Sequence, residues 1–213
     1  MPARVSESIL LRTYPLREAD LIVSFLTRDQ GKLRGVARAA RRPKSRFGAG
    51  LERLSHVRMF YYQRENRELV TLDSCDLIQS AFDAAPDYEM GVAMDFLAEV
   101  SEQMLPAAEP NERHFRLLLA MMEHLRPGGN DRIWSAVTYF SLWSVRLAGV
   151  LPELRVASES RRIAEEMFRT PVGQLTPRAW DRTTAADLRR SLVRTIEDHI
   201  ERKLLSAPHL ESL

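Results

Sequence analysis

The chain has 213 residues, of which 45% are hydrophobic and 28% charged. These proportions allow a real hydrophobic core and exclude a disordered or fibrous protein. The longest uncharged apolar run, residues 133–145, is 13 residues long, which is too short for a bilayer span of about 20 residues. The N-terminus has no basic-then-apolar signal layout, so we expect a cytoplasmic protein without membrane contact.

Charge is distributed unevenly along the chain. Residues 1–76 carry 15 Lys and Arg against 9 Asp and Glu, a net charge of +6, whereas residues 77–213 carry a net charge of −4. A basic first part joined to a mildly acidic remainder predicts a site for a polyanion on the first part.

The first 76 residues contain five short β-prone segments, at residues 9–14, 20–27, 32–37, 55–62 and 68–76. The fourth alternates strictly, with Val57, Met59 and Tyr61 on one face and Phe60 and Tyr62 on the other. Five short strands, with the longest connection between the third and the fourth, predict a small closed barrel of the OB type. A small open sheet packed on the helical part is the less specific alternative.

From residue 77 the apolar residues recur with a helical period. Asp87, Asn111 and Asn130 or Asp131 are the predicted N-terminal caps of three helices. The third helix is apolar nearly all round, which predicts the central helix. Residues 158–170 predict a shorter amphipathic helix. We therefore expect an α+β chain, with an OB-type barrel over residues 1–77 and a helical domain over residues 78–213.

The last predicted helix follows Thr184 and Asp187, whose spacing resembles a capping box. Its predicted inward residues are Leu188, Leu192, Ile196, His199 and Ile200, and its predicted outward residues are Arg189, Arg190, Arg194 and Arg202.

The connection after the third strand is the segment most informative about function. It holds six basic residues and no acidic residue: Arg34, Arg38, Arg41, Arg42, Lys44 and Arg46. Such density predicts a site for nucleic acid, because a phosphate backbone neutralises the cations with release of counterions. Phe47 follows as a candidate base-stacking platform. The alternative is a solvated basic loop with Phe47 tucked into the barrel mouth.

Two further aromatic side chains, Phe60 and Tyr62, share one strand face and could stack on bases. Core packing of at least one of them is the competing interpretation. Tyr61 points to the opposite face.

No catalytic constellation is apparent in the sequence. The chain lacks a phosphate-binding G-x-x-x-x-G-K-[ST] motif and a G-x-S-x-G motif, and its five histidines show no metal-ligand spacing. The single cysteine, Cys75, excludes an intrachain disulfide framework and a cysteine-clustered zinc site. We expect neither an enzyme nor a bound cofactor.

Three motifs in order carry a resemblance to a known family: E-A-D at residues 18–20, T-x-x-x-G-K at residues 27–32, and A-R-x-A-R-R-x-x-S-R-F at residues 37–47. Together they resemble the signature of the bacterial recombination mediator family RecO. The resemblance implies an OB-type barrel followed by a helical domain. It also implies a non-catalytic, nucleoid-associated DNA-repair protein that binds single- and double-stranded DNA and anneals complementary strands.

The resemblance further implies that the protein acts together with RecR and single-strand-binding protein to load RecA on gapped DNA. It assigns DNA binding to the residues that match the basic loop, namely Arg38, Arg41, Arg42, Lys44 and Arg46. The acidic, apolar tail of single-strand-binding protein needs cations beside an apolar pocket. We expect it near Arg189, Arg190 and Arg194, although a solvated face paired with neighbouring acids is the plainer interpretation.

Two departures from the family pattern affect these expectations. Many members carry a four-cysteine zinc module in the helical domain, whereas residues 151–175 contain no cysteine, so we expect a zinc-free form. Ala39 stands where the family often has glycine, which predicts a stiffer loop with a helical turn in part.

Two other classes of function remain open at this point. One is a transcriptional regulator or adaptor with a helical effector domain, against which no helix-turn-helix pattern opens the chain. The other is an enzyme, which lacks a supporting motif.

Overall fold

The structure is a computed structural model, and it describes residues 3–64, 67–80, 88–126 and 129–213. The described residues fall into two compact units. One lies within Met1–Asp83 together with Leu105–Phe115, and the other lies within Ala84–Met104 together with Arg116–Leu213. The single boundary between residues 77 and 78 that the sequence suggests does not include the return of Leu105–Phe115 to the first unit.

The first unit is a closed five-stranded barrel. Its strands are β1 (Ala3–Pro15), β2 (Leu21–Thr27), β3 (Gly31–Ala37), β4 (His56–Tyr62) and β5 (Leu69–Gln79). They follow one another around the barrel in the order β1-β2-β3-β5-β4, and all pairs are antiparallel except β3 with β5. This arrangement confirms the OB-type barrel and excludes the open sheet.

The first strand is longer than predicted because it pairs with two neighbours. Its N-terminal half pairs with β4, from Ala3 opposite Tyr62 to Ile9 opposite His56. Its C-terminal half pairs with β2 as far as Pro15. One strand thereby closes the barrel and leaves no free edge between its first and fourth strands.

The barrel core follows the predicted alternation of β4. Val57, Met59 and Tyr61 are buried, and the Tyr61 ring lies edge-on to Phe25 with 6.0 Å between centroids. Side chains on the opposite face of each strand point away from the core, and polar and charged residues can therefore face solvent there.

A later segment, Leu105–Phe115, completes the first unit by packing on the turn between β2 and β3. The Ala108 amide donates a 2.8 Å hydrogen bond to the Lys32 carbonyl. Gly31 has a φ of +75°, and a Cβ at this position would lie 2.0 Å from the Glu109 carbonyl oxygen. Only glycine allows this approach, which gives the T-x-x-x-G-K motif a structural reason.

The second unit is helical, as predicted. Its helices are α1 (Tyr88–Met104), the larger part of α2 (Glu112–Leu125), α3 (Asn130–Leu147), α4 (Ser158–Met167), α5 (Ala186–Ile200) and the short α6 (Ala207–Glu211). Helix α3 contacts α1, α4 and α5, which confirms its central position. None of the described helices is long and apolar enough to cross a membrane.

Three of the predicted helix caps can be assessed. Helix α3 already begins at Asn130 and its N-cap residue is Gly129, so the predicted cap at Asn130 or Asp131 is wrong. Asn111 caps α2, since its Oδ1 accepts a 3.0 Å hydrogen bond from the His114 amide. Asp87 lies outside the described residues. The capping box is wrong: Asp187 accepts hydrogen bonds from the Ala157 amide, at 2.7 Å, and from the Ser160 hydroxyl. Asp187 therefore stabilises the start of α4, and in its own helix it accepts a 2.9 Å hydrogen bond from the adjacent Leu188 amide.

Candidate nucleic-acid interface

The basic loop is the first part of the connection between β3 and β4, and we use the name for residues 38–47. It is a series of turns with i→i+3 hydrogen bonds, such as that from the Arg42 amide to the Ala39 carbonyl at 3.1 Å, and a 3₁₀ helix follows it at Gly48–Leu51. Ala39 and Lys44 have φ angles of +54° and +61°. A glycine at position 39, as the family resemblance implies, would suit this conformation, because a left-handed φ costs an L-residue about 1–2 kcal/mol.

The start of the basic loop is fastened to the turn between β1 and β2. The Asp20 Oδ1 accepts a 2.8 Å hydrogen bond from the Ala39 amide. The Arg41 amide donates at 3.1 Å to the Ala19 carbonyl. The E-A-D motif and the arginine-rich motif thus meet in space, and the first holds the backbone of the second.

The end of the basic loop is fastened by its apolar residue. Phe47 is 4% exposed and belongs to the barrel core with Phe25 and Tyr61. Its carbonyl accepts a hydrogen bond from the Cys75 thiol at 3.3 Å. A buried ring has no face for a base, so the stacking role predicted for Phe47 is wrong. Its burial removes apolar surface from water and closes the loop onto the barrel.

Between these two anchors, the cations point into solvent. Arg38, Arg41, Arg42, Lys44 and Arg46 are all exposed. Arg46 pairs with Asp73 at 2.9 Å, and its side chain remains 72% exposed, so solvent screening makes this pair weak. Within the described parts of the chain, no ion pair is seen for the other four. The basic loop is therefore an anchored backbone that presents five exposed cations, four of which have no ion pair with a described residue.

The thiol beside the basic loop is not reactive. Burial, the larger cause, and the negative charge of the neighbouring Asp76 together raise the pKa of Cys75 to about 11. The thiol therefore stays protonated at neutral pH, and its role here is to pack and to donate to Phe47.

Arg34 lies on β3 and not in the basic loop. It is exposed, and its guanidinium lies 5.9 Å from the centroid of the Tyr14 ring. Arg12 lies over the same ring at 5.1 Å. Sequence reasoning missed Tyr14 and Arg12, since neither belongs to a charge cluster along the chain; only the pairing of strands brings them to Arg34.

The aromatic residues of β4 divide as the alternation predicts. Tyr61 is buried in the core, whereas Phe60 and Tyr62 are half-buried on the outer face. The outer face near Phe60 also carries Val5, its direct partner on β1, which is 50% exposed.

The predicted arginine row on α5 is only partly outward. Arg190 and Arg194 are exposed, but Arg189 is 3% exposed and donates to the carbonyls of Thr184 and Arg182. Its guanidinium also lies 4.5 Å from the Trp134 ring centroid, and burial lowers its pKa to about 10. Arg189 is thus a structural residue, and its prediction as a partner contact is wrong.

A groove in the helical unit brings cations beside apolar surface. It has a volume of about 250 Å³, and its lining includes Arg132, Arg178, Trp180, Val172 and Leu175. The Arg178 guanidinium lies 5.5 Å from the Trp180 ring centroid and is paired with Glu166. Sequence reasoning missed this groove because its residues come from two helices and an irregular segment.

Comparison with known proteins decides the family. Residues 1–81 match the family model described as Recombination protein O N terminal, and residues 85–173 match Recombination protein O C terminal. The DNA repair protein RecO of Koribacter versatilis is 43% identical to this chain over 98% of both chains.

The chain belongs to the RecO family of DNA repair proteins.

Similarity to other RecO proteins is more partial. The DNA repair protein RecO of Cutibacterium acnes is 36% identical over 62% of this chain and 53% of its own length. The RecO protein of Bifidobacterium animalis is 37% identical over 67% of this chain and 59% of its own length. Family membership supports a role in DNA repair and recombination over the transcriptional alternative.

The four-cysteine zinc site that the family resemblance raises as an expectation does not fit this chain. The chain has one cysteine, which lies on β5 of the barrel. Across the described residues, no group of three or more His, Cys, Asp or Glu side chains is placed to hold a metal ion.

Proposed function

We propose that this RecO-family chain is a recombination mediator that binds single- and double-stranded DNA through the phosphate backbone. The observation that carries this proposal is the anchored basic loop with its exposed cations. Backbone amides and carbonyls hold the loop, so the side chains of Arg38, Arg41, Arg42 and Lys44 are left for phosphates. Such contacts position the protein on DNA and carry little sequence information.

Strand annealing follows from the same chemistry. Two complementary strands repel each other through their phosphates, and a cationic surface that neutralises both lowers this barrier. The reaction requires no nucleotide and no covalent step. In this proposal the protein acts with RecR and with single-strand-binding protein to help load RecA on gapped DNA.

The acidic, apolar tail of single-strand-binding protein is the proposed partner of the helical unit. Arg190 and Arg194 are one turn apart on α5 and exposed, which supports an encounter with carboxylates. The groove that includes Arg178 and Trp180 offers a cation and an aromatic wall together. A tail peptide titrated against Arg190→Glu plus Arg194→Glu, and separately against Trp180→Ala, distinguishes the two surfaces.

The DNA-binding proposal is tested with a loop variant and a charge-matched control. In the loop variant Arg41, Arg42 and Arg46 are replaced by Ala. In the control Arg155, Arg162 and Arg169, three exposed arginines of the helical unit, are replaced by Ala. Both variants lose three positive charges, so they differ only in where the charges are removed.

We expect the loop variant to lose affinity for single- and double-stranded DNA and to anneal more slowly. Each lost phosphate contact lowers the slope of log K against log salt by about 0.7 to 0.9. The control should keep wild-type affinity, annealing rate and salt slope, and both variants should unfold at the wild-type denaturant midpoint. Wild-type DNA binding by the folded loop variant would contradict the proposal.

A further inference from the structure

A tyrosine and two arginines form a cluster on the outer face of the barrel. The guanidinium groups of Arg12 and Arg34 lie 5.1 Å and 5.9 Å from the centroid of the Tyr14 ring. Tyr14 and Arg12 are half-buried, and Arg34 is exposed. The ring therefore retains surface that a ligand can reach, with positive charge beside it.

The strand register places this cluster next to the basic loop. Arg12 and Arg34 are both direct partners of Ser24 on β2, so the three share one face. Tyr14 lies two residues further along β1 on the same face. It is opposite Ile22 of β2, and Ile22 is opposite Val36 of β3. Two strand spacings, about 10 Å, thus separate the backbone of Tyr14 from that of Val36, two residues before the basic loop begins.

The chemistry of the cluster differs from that of the basic loop. Cations in an irregular loop suffice for phosphates, and they do not distinguish duplex from single strand. An aromatic ring beside guanidinium groups offers a π-face and planar cations, both of which stack on unpaired bases. Bases inside a duplex are already stacked and cannot offer a face to it.

We propose that Tyr14, flanked by Arg12 and Arg34, is a base-stacking site for single-stranded nucleic acid. This inference rests on the proposed backbone binding by the basic loop and adds a preference for unpaired strands. One strand runs along the loop through its phosphates and presents a base to the Tyr14 ring. Duplex DNA uses the loop alone.

The outer face also provides a matched control. Phe60, one of the two β4 rings that the sequence offers for base stacking, is a half-buried residue of the same barrel. Among the described residues no guanidinium lies over its ring, so this proposal assigns stacking to Tyr14 and not to Phe60. Tyr14→Leu and Phe60→Leu each remove one outward ring and keep an apolar side chain. Tyr14→Phe keeps the ring and removes only the hydroxyl.

The experiment compares affinity for an oligothymidine strand with affinity for a duplex of equal length. We expect Tyr14→Leu to weaken single-strand binding roughly ten-fold, with an unchanged salt slope, because stacking of one base releases no counterion. Its duplex affinity should stay at the wild-type value. Tyr14→Phe and Phe60→Leu should bind both substrates as the wild type does.

Wild-type single-strand affinity of Tyr14→Leu, or an equal loss on duplex, would overturn the inference. A second measurement needs no variant: a strand containing 5-iodouracil is photo-crosslinked to the wild-type protein, and the adduct is mapped by mass spectrometry. We expect the adduct at Tyr14, and an adduct confined to other residues contradicts the proposal. Wild-type DNA affinity of the loop variant would contradict backbone binding by the loop only. The ratio of single-strand to duplex affinity of Tyr14→Leu would still test the stacking site.

Discussion

The carboxylate of Asp20 accepts a 2.8 Å hydrogen bond from the backbone amide of Ala39, 19 residues further along the chain. An acidic residue thus lies at the base of a loop that we propose binds a polyanion. Its contact is with the backbone, so it shapes the loop without pairing with the loop cations. Removal of this acid should therefore weaken DNA binding, although a simple count of charges predicts the reverse.

We expect Asp20→Ala to lower the free energy of unfolding by about 1 to 2 kcal/mol, because the Ala39 amide loses a charged acceptor. DNA affinity should fall as the loop loses its fixed conformation. Asp20→Asn keeps an acceptor oxygen and should restore most of both quantities, which urea unfolding and DNA titration measure. A rise in affinity for Asp20→Ala would show that charge outweighs loop geometry here.

Replacement of Ala39 by glycine should stabilise the protein. Ala39 has a φ of +54°, and glycine removes the left-handed penalty, a net gain of about 0.5 to 1 kcal/mol after its greater freedom in the unfolded chain is counted. Ala40, the next residue, is absent from the positive-φ residues of the described chain, so Ala40→Gly should destabilise by a similar amount. Denaturant unfolding of both variants measures the difference, and equal changes in the two would refute the conformational argument.

Phe47 should matter for stability and not for stacking. Its ring lies in the barrel core, so Phe47→Ala should cost about 3 to 5 kcal/mol of unfolding free energy. Phe47→Leu keeps most of the apolar volume, and the folded variant should bind single-stranded DNA as tightly as the wild type. A selective loss of single-strand affinity in Phe47→Leu would instead restore the stacking role that we have rejected.

Acid should destabilise the first unit through His114. Burial lowers the pKa of this imidazole to about 4 from an ordinary value of 6.5. Between these values the unfolded state binds the proton and the folded state does not, so stability is complete above pH 6.5 and falls as the pH drops toward 4. The fall attributable to His114 is about 3 kcal/mol.

The pH dependence is measured from denaturant unfolding between pH 4 and 7.5. His114→Gln should flatten the curve relative to the wild type, whatever its stability at pH 7.5. His199 is exposed on α5, so its predicted inward position is wrong, and His199→Gln is the control for replacement of a surface histidine. Equal slopes for the wild type and His114→Gln would show that other groups cause the acid sensitivity.

The helices and strands could be predicted because the spacing of apolar residues along each of them shows which side chains are buried. In β4 the alternation of Val57, Met59 and Tyr61 follows from side chains that point to opposite faces of a strand. Helix α3 likewise carries apolar residues on nearly all sides, which predicts its central position. The closed barrel followed from five such strands and one long connection.

The sites that sequence reasoning misjudged lack this coupling. Phe47 lies in an irregular loop, where no period says which way a ring points. An outward position is the expectation for Arg189 because arginine is usually exposed, yet carbonyls of the preceding turn and the Trp134 ring give it a buried environment. Tyr14 joins Arg34 only through the pairing of strands. Each of these depends on tertiary neighbours that a single sequence does not report.

The close approach of Gly31 to Glu109 has a consequence for protein engineering. The turn between β2 and β3 is completed by residues that come about 75 positions later, after the whole of α1. A fragment that stops after β5 would leave the Lys32 carbonyl without its Ala108 donor and the surface beside Gly31 uncovered. The five strands alone are therefore a poor choice for expression as a separate domain or for fusion to another protein. A usable fragment also has to contain the Leu105–Phe115 segment.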